Sequence, residues 1–294
     1  MRAFRLAYDG RPFHGYQRQP DVRTVEGDLF STLRSLDVCA PDRAPPGYAA
    51  AGRTDAGVSA IAQTIAFDAP GWLTPRALNS ELPGSIRAYA AADAPDGFHP
   101  THHAYRREYS YHLYAPTGEQ QSIASLPPIA SLPPIDDERA AAALEQLCGS
   151  HDFHNLTPDA EGTHRGLSGR LDRDGGFLVV RFAAGGFARE LVRRLVTVVH
   201  RVGTGELSID FIDRLLGSES IEGGDGIPPA PPEPLVLSDV IYPQLSFVVD
   251  EAARERAIEA IGGRAIEGAI VERTNASIVE GLRDAGDVAS SDER

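Results

Sequence analysis

The alternation of strand and helix patterns over the first hundred residues is the feature that most constrains the fold. Residues 2–9 alternate as a strand does, and a helix is predicted from an N-cap at Thr24 through Leu36, with its apolar side chains on one face. The elements that follow are strands at 61–67 and 86–90 and a short helix at 73–82. This β-α-β-α-β order predicts one α+β unit of about 100 residues.

The second half has the same mixed character. A strand is predicted at 107–114, and the remaining elements are helices at 136–148, 187–202 and 209–216, a hairpin across 174–176, and strands at 235–242 and 245–250. Residues 123–135 repeat Ile-Ala-Ser-Leu-Pro-Pro, and the proline pairs predict a loop insertion without chemistry. We expect an N-terminal domain at 1–103, a C-terminal domain at 104–250 and an acidic helical tail at 251–294, disordered from about Asp287.

Residues 51–58, Ala-Gly-Arg-Thr-Asp-Ala-Gly-Val, form a short non-periodic segment ahead of a predicted strand. Glycines at 52 and 57 permit close approach of the backbone to a ligand, and Asp55 supplies a carboxylate between them. The same residue types are common in plain surface turns. Local composition alone favours a surface turn and leaves a functional site as the alternative.

Further motifs accompany this segment in a fixed order. They are Y-D-G at 8–10, F-H-G-Y-Q-R-Q at 13–19, T-V-E at 24–26, N-S-E-L-P at 79–83, F-H-P at 98–100, R-E-Y-S-Y at 107–111, F-A-R-E-L-V-R at 187–193 and the closing stretch at 232–242. Together with 51–58 they resemble the motifs of the TruA family of tRNA pseudouridine synthases over about residues 1–245. Four positions depart from the family pattern: Tyr16 (usually Trp), Ser59 (usually His), and Thr197 and Pro234 (each usually Gly).

The resemblance implies an α+β pseudouridine synthase fold. Two α+β domains are expected to form one extended mixed or antiparallel sheet, with flanking helices and a central cleft. The implied activity is isomerisation of uridine to pseudouridine in the tRNA anticodon stem-loop, at tRNA positions 38 to 40. An isomerisation needs no cofactor, and we expect none. A homodimer is implied by the resemblance alone.

On this resemblance Asp55 is the catalytic carboxylate, acting in its ionised form as either nucleophile or base. Arg193 is the expected counter-charge, because a carboxylate beside RNA needs a cation to stay ionised in a closed site. Tyr109 is expected to stack on the uracil and to serve in proton transfer at C5, and Arg53 to assist flipping of the nucleotide. The expected phosphate contacts are Arg18, Arg106 and Arg107, with His102 and His103.

Each of these residues also has an ordinary structural interpretation. Arg193 and Arg189 fit an exposed helix face, and Glu190 with Arg194 fits an i, i+4 surface pair. Tyr109 belongs to an alternation that is typical of sheet packing. The arginines assigned to phosphate are equally typical of solvated surface charge.

The charge of the chain opposes an RNA ligand at first sight. The net charge is −14 and the pI is near 5.0. All 28 basic residues are arginine, however, and an acidic, lysine-free composition suggests a GC-rich genome and a high-salt cytoplasm. At about 1 M salt the Debye length falls to about 3 Å, so distant acidic groups hardly repel RNA. Locally, 165–201 carries a net +5 and 251–294 a net −4.

The remaining composition narrows the protein class. Cys39 and Cys148 lie far apart and in no metal-binding pattern, which argues against zinc or a disulfide framework and suits a reducing cytoplasm. No apolar run reaches the roughly 18 residues of a membrane span, and the N-terminus reads directly into a strand. We therefore expect a cytoplasmic protein with tRNA as partner, without a membrane or a small-molecule cofactor.

Two other functions fit the same scaffold. A non-catalytic RNA-binding or RNA-folding protein would need no carboxylate, so the joint presence of Asp55, Arg53, Tyr109 and Arg193 favours the enzyme. A pseudouridine synthase with other RNA targets, as among eukaryotic relatives, is disfavoured by the compact length of the chain.

Overall fold

The chain adopts a mixed α+β fold, seen in a computed structural model that describes residues 1–41, 43–115, 134–221 and 226–291. Most of the duplicated Leu-Pro-Pro unit and the beginning of the 223–234 loop lie outside the described residues. The strands are β1 Arg2–Tyr8, β2 Ala49–Ala50, β3 Ser59–Phe67, β4 Ile86–Asp93, β5 Arg106–Tyr114, β6 Gly149–Asp152, β7 His164–Asp174, β8 Phe177–Ala184, β9 Leu235–Ile241 and β10 Val248–Val249. The α-helices are α1 Val25–Ser35, α2 Pro75–Asn79, α3 Asp137–Leu147, α4 Leu191–Gly203, α5 Phe211–Leu215 and α6 Glu251–Ser291.

All described strands join one sheet, in the order β10-β4-β1-β3-β9-β5-β8-β7-β6, with β2 paired to β3. The β3–β9 pair is parallel and the other pairs are antiparallel, so the sheet is mixed. The α+β class and the single large sheet predicted above are confirmed. Strand β9 lies between β3 and β5, and it joins the two halves of the chain across the middle of the sheet.

Local capping chemistry explains where the helices begin. The Thr24 hydroxyl accepts a hydrogen bond from the Gly27 N–H at 3.1 Å, which caps α1 as predicted. The Asp136 carboxylate caps α3 by accepting from the Glu138 and Arg139 N–H groups. The helix predicted at 73–82 is limited to the five residues of α2 and is capped by Thr74.

Helix α4 begins four residues later than the apolar spacing predicts. Glu190 has a φ of 60°, in the left-handed region, and this conformation separates 187–189 from the helix. Phe187 therefore sits on a loop after Gly185 and Gly186 and not on the helix face. The preceding hairpin is confirmed, with β7 and β8 joined through Gly175 at φ 54°.

Three strands differ from the sequence predictions. The strand expected at 245–250 pairs only through Val248 and Val249, and β2 and β6 were not predicted because each is short. The tail is a single helix, Glu251–Ser291, as the sequence predicts, and the disorder expected from about Asp287 stays a prediction.

Two buried clusters make up the core. One packs α1 and α2 against β1, β3 and β4, and the other packs α3 and α4 against β5 and β8. Tyr109 is half-buried and packs against both clusters, so the site described next lies where they meet. The division into domains near residue 103 stays a prediction.

Candidate active site

The segment 51–58 is a tightly anchored loop between β2 and β3. The Ala51 N–H donates to the Thr64 carbonyl at 2.8 Å, and the Val58 N–H donates to the Asp55 carbonyl at 3.2 Å. The Thr54 hydroxyl is hydrogen bonded to the buried Tyr8 hydroxyl at 2.8 Å. These bonds hold the loop at both ends and in its middle. Arg53 is exposed and Asp55 is partly exposed, so both side chains are open to a ligand.

The segment 10–16 packs against the 51–58 loop, and this close approach requires glycine at position 10. A Cβ at Gly10 would lie 2.0 Å from the Val58 carbonyl oxygen, so only glycine permits that approach. The Tyr16 N–H donates to the Thr54 carbonyl at 3.0 Å. Ser59, one of the departures from the family pattern, accepts from the Gly10 N–H at 3.0 Å and so ties the two segments together.

Asp55 is paired with Arg193, which lies 138 residues away in the sequence. The Arg193 Nη1 is 3.0 Å from the Asp55 Oδ2, and the side chains are 14% and 36% exposed. Arg193 lies in the first turn of α4, and its Nε donates to the Ala230 carbonyl at 2.6 Å. That bond aims the guanidinium at the carboxylate.

Tyr109 lies beside this pair on β5. Its ring meets Phe187 edge to face, with 5.2 Å between ring centroids and planes at 89°. The pKa of the Tyr109 hydroxyl is raised to about 12, chiefly by burial; the charge of Arg107 lowers this pKa and the negative charge of Asp55 raises it. The phenol is therefore protonated at neutral pH and can both donate and accept a hydrogen bond.

A cavity of about 500 Å³, here called the Asp55 pocket, opens over these groups. Its polar residues come from the 51–58 loop, from β5, from the loop that carries Asp159 and from residues 189–193, and its apolar residues include Val58 and Leu235. The volume lies in the range of small-molecule sites, about 300–1,000 Å³. Its lining includes Arg53, Asp55, Tyr109, Asp159, Phe187 and Arg193.

A second cavity of about 700 Å³, here called the flanking cavity, adjoins the first. The two share Arg53, Tyr109 and Phe187 as lining residues. Arg53 makes no hydrogen bond or ion pair with any residue that the structure describes, and its side chain is exposed. This guanidinium is therefore available to a ligand at the boundary of both cavities.

Arg107, an expected phosphate contact, is engaged by the protein itself. Only 7% of the residue is exposed, and its guanidinium donates to three backbone carbonyls. It donates to Ala51 from Nη2 at 2.8 Å, to Thr101 from Nη2 at 2.7 Å, and to Gly185 from Nη1. A phosphate would have to break these bonds. Arg107 instead ties the loop at 51–58 to two other loops at the cleft.

The structure does not bring the remaining arginines assigned to phosphate into the Asp55 pocket. Arg106 lies on the opposite face of β5 from Tyr109, where its Nη2 donates to the Glu108 carboxylate at 3.1 Å. Arg18 has an exposed side chain that does not line either cavity, and its N–H donates to Glu26 at 2.8 Å. His102 and His103, the other expected phosphate contacts, are exposed. The His102 ring contacts the His99 ring, and the His103 ring contacts the Phe98 ring.

Neighbouring arginines on the loop and helix are paired. Arg194 forms the expected i, i+4 pair with Glu190, at 2.7 Å between Nη2 and Oε2. Arg189 is held by Asp159, whose carboxylate accepts from the Arg189 N–H at 2.8 Å and lies 3.3 Å from its Nε. The sequence prediction missed Asp159 as a residue of the site, because it lies in a loop with no pattern of its own.

The site is built from carboxylate, guanidinium, phenol and backbone groups. Within the described ranges, no group of three or more His, Cys, Asp or Glu side chains is arranged to hold a metal ion. Across the same residues, no helix is long and apolar enough to cross a membrane.

Residues 143–243 match the family model for tRNA pseudouridine synthase. The chain is 58% identical over 257 residues to the tRNA pseudouridine synthase A of Natronomonas pharaonis, covering 87% of this chain and 91% of the relative. It is 51% identical over 283 residues to that of Haloarcula marismortui, covering 96% and 100%. It is 57% identical over 257 residues to that of Halobacterium salinarum, covering 87% and 90%. These relatives come from halophilic archaea, which confirms the interpretation of the acidic, lysine-free composition.

Proposed function

This chain belongs to the tRNA pseudouridine synthase family and is therefore an isomerase, and we propose that it converts uridine to pseudouridine in the tRNA anticodon stem-loop with Asp55 as the catalytic carboxylate. The observation that carries the proposal is the Asp55–Arg193 pair, at 3.0 Å, inside a cavity large enough for a nucleotide. Positions 38 to 40 of tRNA are the proposed targets, on the family resemblance.

The proposed reaction balances without a cofactor. The N1–C1′ bond of uridine breaks and a C5–C1′ bond forms, while C5 releases a proton and N1 gains one. Asp55 takes one of two roles: it adds to the nucleotide as a nucleophile, or it removes a proton from C2′ as a base. A primary isotope effect with 2′-deuterated uridine marks the base role, and its absence together with a trapped adduct at Asp55 marks the nucleophile.

Tyr109 and Arg53 have proposed roles around that step. The Tyr109 ring stacks on the uracil, and its neutral hydroxyl relays the proton released from C5, since a hydroxyl can accept and donate at once. Arg53 fills the gap left by the flipped nucleotide, a step that costs a few kcal/mol of unstacking. The exposed Arg18 contacts phosphate outside the cavities.

The test compares two acids that line the same pocket. Asp55→Asn and Asp159→Asn are incubated with tRNA transcripts at about 3 M salt, and pseudouridine is mapped along the RNA. We expect Asp55→Asn to lose activity by at least about a thousandfold, within the range for removal of a catalytic acid or base. Asp159→Asn should lose less than about tenfold, because its carboxylate binds Arg189 and not the reacting atoms.

Two outcomes would contradict the proposal. Equal product from wild type and Asp55→Asn would exclude Asp55 as the catalytic group. Tight tRNA binding with no product from the wild type would favour the alternative, a non-catalytic RNA-binding protein on the same scaffold.

The assembly and location are proposed from the same resemblance. We propose a homodimer in which each tRNA contacts both subunits, in the cytoplasm. Light scattering on the free protein at high salt measures the mass, and a mass near 31.5 kDa, that of one chain, would contradict the dimer.

A further inference from the structure

The flanking cavity is not used by the chemistry proposed above, although it is larger than the Asp55 pocket. An RNA nucleotide that enters the Asp55 pocket stays covalently linked to its two neighbours. At least one neighbour must therefore lie against a surface next to that pocket. The flanking cavity is such a surface, because it shares Arg53, Tyr109 and Phe187 with the pocket.

The walls of the flanking cavity suit a flat ring. Its walls include Ala49–Gly52, from β2 and the 51–58 loop, and Gly185 and Gly186 on another loop, so small residues form these parts of the wall. A Cβ added at Gly52 would meet no atom within 4 Å. At its buried end the cavity reaches Tyr16, which is 1% exposed. A cavity lined by backbone, glycine and aromatic residues in this way fits a nucleobase better than a solvated phosphate.

Arg107 holds the two backbone walls at a fixed separation. One guanidinium donates to the carbonyl of Ala51 and to the carbonyl of Gly185, which belong to the two walls. The side chain is buried, so the clamp is protected from water. The cavity is therefore preformed, and less ordering entropy opposes ligand binding than at a mobile loop.

The flanking cavity is lined by both positively and negatively charged side chains. Arg165, on β7, supplies donors, and the Glu26 carboxylate, on α1, supplies an acceptor. A carboxylate repels phosphate but accepts a hydrogen bond from the edge of a base. A cavity that offers both a donor and an acceptor can satisfy the edge of any base, so binding there tolerates sequence.

We propose that the flanking cavity is a subsite for the base of the nucleotide immediately next to the target uridine, with Arg165 and Glu26 as sequence-tolerant contacts. The inference rests on the proposed function, because it assumes that the target uridine occupies the Asp55 pocket. The subsite would let the enzyme draw on a neighbouring base for affinity whichever base stands there. Acceptance of several adjacent uridines, as proposed for positions 38 to 40, requires that kind of tolerance.

The test pairs abasic RNAs with a variant that fills the cavity. Stem-loop RNAs carry 5-tritiated target uridine, and the nucleotide on its 5′ or 3′ side is made abasic in turn. Tritium is released when C5 loses its hydrogen, so its release gives kcat/KM for each RNA. Gly185→Val fills the cavity: its backbone is not in the left-handed region, and a Cβ would meet only the Tyr105 carbonyl, at 3.7 Å. Gly71→Val is the matched control, at another glycine with open space outside both cavities.

For the wild type and Gly71→Val, we expect one of the two abasic RNAs to lose about tenfold or more in kcat/KM, the scale of one stacked base. For Gly185→Val, the intact RNA should fall to about the same value, and the abasic change should cost nothing further. Arg165→Gln should reduce the abasic effect to about threefold or less, which tests the subsite from the other half of the chain.

The proposal is overturned if neither abasic RNA differs from the intact RNA in the wild type, or if the abasic loss persists undiminished in Gly185→Val and Arg165→Gln. Failure of the proposed function has a different signature. In that case the wild type releases no tritium from any RNA, intact or abasic, whereas failure of the subsite alone leaves the wild type's release of tritium from the intact RNA unchanged.

Discussion

Alanine substitutions at the neighbouring residues Arg106 and Arg107 on β5 measure what the buried Arg107 guanidinium contributes to the free energy of unfolding. Arg107→Ala removes the donors to Ala51, Thr101 and Gly185. Thr101 and Gly185 are exposed, so water can replace the lost donor at two of the three carbonyls. Ala51 is 1% exposed, and its carbonyl bears the cost of an unsatisfied buried acceptor, about 1–3 kcal/mol.

Loss of the packing of the buried side chain adds to that cost, and we expect Arg107→Ala to lower the free energy of unfolding by about 2–4 kcal/mol. Arg106→Ala is the control, because it changes the same residue type one position earlier, on the other face of the strand. Its ion pair with Glu108 is partly exposed, so we expect a loss of about 1 kcal/mol or less. Urea unfolding at about 3 M salt, followed by circular dichroism, measures both values.

The kinetics separate a positioning role from a phosphate contact. If Arg107 holds the loop that carries Asp55, Arg107→Lys lowers kcat with little change in KM, because the single ammonium nitrogen of a lysine cannot reach carbonyls that the guanidinium binds through two separate nitrogens. A phosphate contact would instead raise KM and flatten the dependence of binding on salt. Equal unfolding free energies for the two alanine variants, together with a change confined to KM, would refute the clamp.

Three further predictions follow from the same contacts. Tyr109→Phe keeps the ring and removes the hydroxyl, so kcat should fall by about 10²–10⁴ while KM changes little, measured by tritium release. The pKa of Tyr109 rises from 10.0 to about 12 on folding. The contribution of Tyr109 to stability is therefore complete below pH 10 and is lost as the pH rises towards 12. Alkaline unfolding of the wild type should be steeper than that of Tyr109→Phe. Burial alone would raise the pKa of the Asp9 carboxyl, but Arg11 and Arg264 outweigh it and lower the pKa below 3.8. The stabilisation by the Asp9 carboxylate is therefore present above pH 3.8 and is lost as the pH falls through the pKa of the folded state. Arg264→Ala should therefore unfold at a higher pH in acid than wild type, whereas Arg256→Ala, on the exposed side of the same helix, should not.

Elements set by local chemistry were predictable from the sequence. Thr24 before an apolar helical spacing gives α1, and Asp174-Gly175-Gly176 between two alternating runs gives the β7–β8 hairpin. The late start of α4 was not predictable, since the apolar spacing runs on through 187 and only tertiary contacts hold Glu190 at a positive φ. The position of β9 between β3 and β5 is likewise a long-range pairing that no local pattern encodes.

The site shows the same split between local and long-range information. Asp55 and Arg193 were assigned through motif resemblance, because no local pattern relates residues that lie 138 positions apart. The placement of the arginines assigned to phosphate could have been predicted in part, however. Strand side chains alternate between faces, so placing Tyr109 in the cleft puts Arg107 on the same face and Arg106 on the opposite one. The burial of Arg107 was not predictable, because the three carbonyls that bind it belong to separate loops.

The pairing of β3 with β9 brings the two halves of the site together. This parallel contact consists of two residue pairs, Ser59 with Val236 and Ala60 with Leu237, directly after the 51–58 loop. On its other edge β9 pairs with β5 alongside Tyr109, and Leu235 at its start lines the Asp55 pocket. The Asp55 loop and the helix that carries Arg193 therefore meet across a sheet in which residues 235–241 form the joining strand. The parallel pairing that joins the two halves of the chain is short. The Asp55–Arg193 ion pair and the Arg107 hydrogen bonds add direct links across the cleft. Loss of either should therefore loosen the site before it unfolds the protein.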